Sequence, residues 1–122
     1  MVTGNTYSSF DNQIEIRGYV FTIPSCETTT ESFNFETKII TGIIMPSAFT
    51  GTSISFELSY DNSTFYPLYD APTNALVTIS VTTGVFYGIV PQDFTYLGFL
   101  RIVSDATEDA DREIQIITRK VI

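Results

Sequence analysis

Apolar and polar side chains alternate with a period of two along most of the chain. The alternation is cleanest over residues 53–60, where Ile54, Phe56, Leu58 and Tyr60 point one way and Ser53, Ser55, Glu57 and Ser59 the other. That period belongs to a strand with one buried face. The same signal predicts a strand through Ile14, Ile16 and residues 20–23, with Gly18 as a bulge or bend. Another runs along Phe33, Phe35, Thr37 and Ile39 and continues across Gly42 to Met45, and more follow over residues 76–81, 85–90, 97–104 and 112–122. Turn chemistry separates them. Asp61, Asn62 and Ser63 carry short side chains that bond their own backbone and tolerate unusual φ, so residues 53–60 and 64–69 are expected to form a hairpin. Pro67 confines its second arm to a sheet edge.

Eight or so short strands without a helical period read as an all-β fold, an antiparallel β-sandwich of jelly-roll-like form over residues 14–122. Residues 1–13 are polar apart from Val2, Tyr7 and Phe10, and read as an N-terminal arm. Apolar points so spaced are how an extended segment engages shallow pockets on a partner. A repeat is also visible: at a constant offset, Pro46 matches Pro91, Phe49 matches Phe94, Ile54 matches Phe99 and Leu58 matches Val103. Each proline presets a tight turn, and each Phe three residues on can fold back as a plug. Two similar halves are therefore expected to face each other across one core.

Composition narrows the chemistry. The 122 residues are 43% apolar, enough for one core and too few for two. No stretch approaches the ~18 apolar residues of a membrane span, and the polar start lacks the regions of a signal peptide, so a chain made and left in a cytoplasm is expected. Cys26 is the single cysteine and there is no histidine. That removes an intrachain disulfide, thiolate metal clusters and Ser-His or Cys-His nucleophiles. Fourteen acidic against six basic residues give a net charge of −8, which repels phosphate backbones and disfavours nucleic-acid binding.

The remaining candidates are few. Glu108, Asp109 and Asp111 are three carboxylates without a glycine-centred loop, and are expected to form a solvated turn rather than a Ca2+ site. Paired carboxylates, Glu57 or Asp70 with Asp61, are the enzymatic reading left open, but no cleft is signalled, so neither catalysis nor a cofactor is expected. Tyr60, Phe65, Tyr66 and Tyr69 form an aromatic cluster suited to a partner or subunit interface, or to stacking on sugar rings. Arg101 matches Phe56 in the repeat and would face inward, so an ion pair of Arg101 or Arg112 with Asp70 or Asp93 is expected. Cys26 has no base beside it and reads as an incidental thiol.

The stretch GTSISFELSYDNSTFYPLYDA over residues 51–71, with the closing ADREIQIITR over 110–119, resembles small virion structural proteins of tailed bacteriophages. In that family a hairpin of form F-x-x-S-x-D-[GN]-x-x-[FW] precedes a Leu-Tyr-Asp-like segment and a closing D-R-x-I strand. The resemblance covers roughly residues 40–122. It implies a head decoration or cement protein, bound to the major capsid protein on the outer shell of the virion and self-associating, with a homotrimer favoured. A carbohydrate-binding module of a tail or fibre component is the alternative on the same sandwich.

Overall fold

The computed structural model describes residues 16–35, 38–89 and 98–120. Eleven strands run through them: β1 (Ile16–Ile23), β2 (Phe33–Asn34), β3 (Lys38–Ile44), β4 (Ser53–Ser59), β5 (Tyr66–Pro67), β6 (Tyr69–Asp70), β7 (Ala75–Leu76), β8 (Thr78–Ser80), β9 (Phe86–Gly88), β10 (Phe99–Ser104) and β11 (Arg112–Lys120). One sheet has the order β1-β11-β3-β9. The other runs β2-β10-β4, with β5 and β8 sharing the far side of β4, β5 against Glu57 and Leu58 and β8 against residues 53–55. Between them the chain leaves the sheet as the small β6-β7 hairpin. With β5 to β7 set aside as an excursion, the eight remaining strands are ordered 1-8-3-6 and 2-7-4-5, which is the jelly roll.

Alternation builds the core as expected. Phe21, Ile23, Ile40, Ile43, Ile114 and Ile116 point inward from one sheet, and Ile54, Phe56, Leu58, Leu100 and Ile102 from the other. Phe49 packs against this cluster from the loop after Pro46, as a plug three residues beyond the proline should. Pro67 lies on the edge strand β5, where a missing N–H costs nothing, and β5 pairs with β4 as the hairpin reading requires.

Three expectations are corrected. Residues 33–45 are not one strand: β2 and β3 belong to different sheets, and the buried Phe35 sits where the chain crosses between them. A period of two cannot register such a crossing, because both halves bury alternate residues in the same core. Gly18 is not a bulge, since β1 pairs with β11 without interruption from Ile16 to Ile23; the irregularity lies in β3, opposite Ile117 and Thr118. The matching segments do not form facing halves either. β4 and β10 are antiparallel neighbours in one sheet, with Phe56 opposite Ile102 and Glu57 opposite Arg101. Directly opposed residues share a face, so Leu100, Ile102 and Ser104 turn inward, one residue out of phase with the repeat. Arg101 faces outward. The second corner, Pro91 to Phe94, lies outside the described residues.

Candidate interaction site

The hairpin after β4 is held by its own polar side chains. Asp61 Oδ1 accepts the backbone N–H of Ser63 (2.9 Å) and Thr64 (3.1 Å) and the Ser59 hydroxyl (2.8 Å). These bonds, that from Thr64 first, hold the Asp61 carboxyl below its ordinary range. Asn62 takes the left-handed conformation that the turn needs (φ 59°), and Ser32 donates to its side-chain oxygen at 2.7 Å.

Beyond this turn the chain displays aromatic surface. Tyr60, Tyr66 and Tyr69 are 81%, 57% and 52% exposed. They surround a shallow pocket of about 350 Å3 whose remaining walls are Leu58, Ser59, Pro67 and Leu68. Tyr66 is opposite the buried Leu58, so it points toward the core side of its sheet, but on an edge strand where nothing covers the ring fully. Phe65 leaves the cluster predicted for it: its ring lies under the Arg101 guanidinium, 4.0 Å from centroid to Cζ. Leu58, Pro67 and Leu68 carry no site signal in the sequence, because strand alternation assigns them to core or edge alone.

The predicted ion pairs are re-partnered. Arg101 Nε donates to Glu57 Oε1 at 2.7 Å across the β4-β10 ladder, rather than reaching Asp70. Asp70 instead accepts the Thr73 hydroxyl at 2.6 Å and caps the turn of the β6-β7 hairpin. Arg112 pairs with Glu108 at 2.9 Å and Asp109 at 2.6 Å. Local geometry decides both cases: opposed positions in a ladder and neighbours three or four residues apart are within reach without any loop folding back. Val2, Tyr7, Phe10 and Asp93 lie outside the described residues.

At the opposite end of the β4-β10 ladder Asp109 and Asp111 are exposed, as a solvated turn requires, but Glu108 departs from that expectation. Glu108 is fully buried. Its carboxylate accepts the backbone N–H of Thr50 (2.8 Å) and Gly51 (3.0 Å), the Ser104 hydroxyl (2.9 Å) and Arg112 Nε (2.9 Å). Burial pushes its carboxyl up, but these four donors together outweigh that and hold it below the ordinary value. Its backbone also bonds loop 24–30, with Cys26 N–H donating to Glu108 O and Glu108 N–H to Glu27 O. Three loops are thereby tied together at one residue. The three carboxylates of the enzymatic reading are likewise engaged, Glu57 by Arg101, Asp61 by its turn and Asp70 by Thr73.

No family model and no curated protein matches the chain. Solved structures of similar overall form include the SPBc2 prophage-derived protein YomS, 15% identical over 87% of this chain and 96% of that one, with a TM-score of 0.49. A Bacillus endospore appendage, from disulfide-linked pili, is 14% identical over 90% and 91% of the two chains (TM-score 0.44). The capsid asymmetric unit of cyanophage Pam1 gives 12%, 100%, 92% and 0.32 for the same quantities. At these identities and scores they assign neither a family nor a function.

Proposed function

We propose that this chain is a non-enzymatic virion structural protein of a tailed phage, a decoration or cement protein that binds the outer shell through the Tyr60-Tyr66-Tyr69 surface. The observation that carries the contact site is the display of three tyrosines around one apolar pocket, while the carboxylates and arginines of the neighbouring turns are spent on internal bonds. Tyrosine supplies a large rigid contact area at little entropic cost, and such residues anchor protein interfaces. The virion assignment is supported by the sequence likeness of the hairpin and the closing strand. Repeated over a shell, modest contacts become collectively strong. The anchors Val2, Tyr7 and Phe10 belong to the same proposal.

The same rings could stack on sugars, which keeps the carbohydrate-binding reading alive on this surface. One experiment separates the two. Binding of the chain to undecorated capsids is measured beside a glycan array, for the unmodified protein and for Tyr60→Ser, Tyr66→Ser and Tyr69→Ser. Stoichiometric capsid binding that falls in the variants supports the decoration role; sugar binding without capsid occupancy replaces it with the second reading. Deleting residues 1–10 in the same assay tests the arm.

A further inference from the structure

The two middle outward rows of the β1-β11-β3-β9 sheet are apolar except for Gln115, whereas the outer face of the other sheet carries the Glu57–Arg101 pair between Ser59–Phe99 and Ser55–Val103. The register places Val20, Gln115, Ile44 and Phe86 in one outward row and Gly18, Ile117, Gly42 and Gly88 in the next. Val20 and Phe86 are 53% and 57% exposed. The three glycines of the second row differ: the Ile117 side chain lies beside Gly18, the Phe86 ring lies against Gly42, and the space over Gly88 is open. Beyond the two rows, Glu113 stands at one end of β11 and Arg119 at the other, both exposed and without an ion-pair partner among the described residues.

We propose that a second copy of this chain packs on that face, sheet against sheet, about a two-fold axis crossing the strands at Tyr19, Ile116, Ile43 and Tyr87. Those four residues form the inward-facing row between the two outward ones. Rotation about this line exchanges the outward rows, so Val20 of one copy meets Gly18 of the other and Phe86 meets the open space at Gly88. It also places Glu113 of each copy over Arg119 of its partner. A two-fold contact uses the same patch twice and must be complementary to itself; here Phe86 meets the open space at Gly88, Gln115 meets Ile117 and acid meets base under one operation. The net charge of −8 opposes self-association in general, while on this face Glu113 and Arg119 offset each other. Strand rise and spacing give the face a footprint on the order of 400 Å2 per copy, or about 800 Å2 in all, which is below the ~1,000 Å2 of a stable interface and makes the association a weak, transient one. The inference does not rest on the virion reading, and it differs from the homotrimer that the sequence likeness implies.

Sedimentation equilibrium of the full chain over a range of concentrations, at low salt, tests it. A monomer–dimer equilibrium is expected. Glu113→Arg and Arg119→Glu should each weaken it about tenfold, because like charges then meet twice in every dimer, while the double exchange should restore it. Circular dichroism melts of the three variants confirm that these exposed changes leave the fold intact. A monomer at every concentration, an odd-numbered oligomer, or single reversals that associate as tightly as the unmodified chain would overturn the proposal.

Discussion

The Arg112 guanidinium meets the Glu108 carboxylate at 2.9 Å, and the acid has no exposed surface. Two backbone N–H groups and the Ser104 hydroxyl complete its shell, so one buried charge is satisfied by donors from three segments of chain. Removing the charge of the carboxylate leaves the buried donors around it without their ionic acceptor, although Arg112 keeps Asp109. Glu108→Gln is expected to destabilise the protein by about 3–5 kcal/mol. Asp109→Asn, at the exposed arm of the same arginine, should cost under about 1 kcal/mol. Urea midpoints at neutral pH check both values, and equal losses would mean that burial is not what makes Glu108 important.

The same carboxylate gives the fold a pH dependence. Burial opposes its charged form, yet the hydrogen bonds from Thr50, Gly51, Ser104 and Arg112 hold its folded pKa below the ordinary glutamate value of 4.5. A depressed folded pKa contributes stability that is fully present above the unfolded value and is lost as pH falls through the folded one. Asp61 and Asp105 are shifted in the same direction, chiefly by the backbone N–H of Thr64 and of Thr52. Melting temperature should therefore hold steady in the weakly acidic range and fall below pH 4.5, and Glu108→Gln should flatten part of that fall. A variant with an unchanged acid limb would assign the loss to other groups.

Gly51 shows how closely this end is packed. A Cβ there would strike the Ser104 hydroxyl, which donates to Glu108, and Asp105 Oδ1, which accepts Thr52 N–H. Gly51→Ala is expected to cost about 1–3 kcal/mol, as overpacking does. Gly88→Ala meets nothing within 4 Å and should stay within about 0.5 kcal/mol of the parent. Thermal melts of the two variants distinguish a glycine needed for room inside the fold from one that is not.

Sequence periodicity carried the sandwich and most of its core, because a period of two states directly which residues share a face. Tyr60, Tyr66 and Tyr69 were also legible as a group, since a short hairpin keeps close in space what is close in sequence. Glu108 was not. Its neighbours Asp109 and Asp111 make an acidic loop look uniformly solvated, and only the approach of Thr50 and Gly51, nearly sixty residues away (58 and 57), reveals a buried acceptor. Strand order was equally hidden: the crossing between β2 and β3 leaves no mark on alternation, and the phase of β10 is set by its partner β4 rather than by its own composition.

That phase can be tested by substitution. Phe56 is buried on β4 and opposes Ile102, which is also buried, while Val103 on the other face of β10 is only half-buried. Truncating a core side chain removes its transfer free energy and leaves a cavity, so Phe56→Ala should cost ~3–5 kcal/mol and Ile102→Ala ~2–5 kcal/mol. Val103→Ala, on the outward side, should cost about 1 kcal/mol or less. Had the repeat set the phase, Val103 would occupy the place of Leu58 in the core and the order of the two β10 variants would reverse. Denaturant midpoints of the three proteins at one pH decide the matter, and a loss at Val103 larger than that at Ile102 would place the wrong face of β10 in the core.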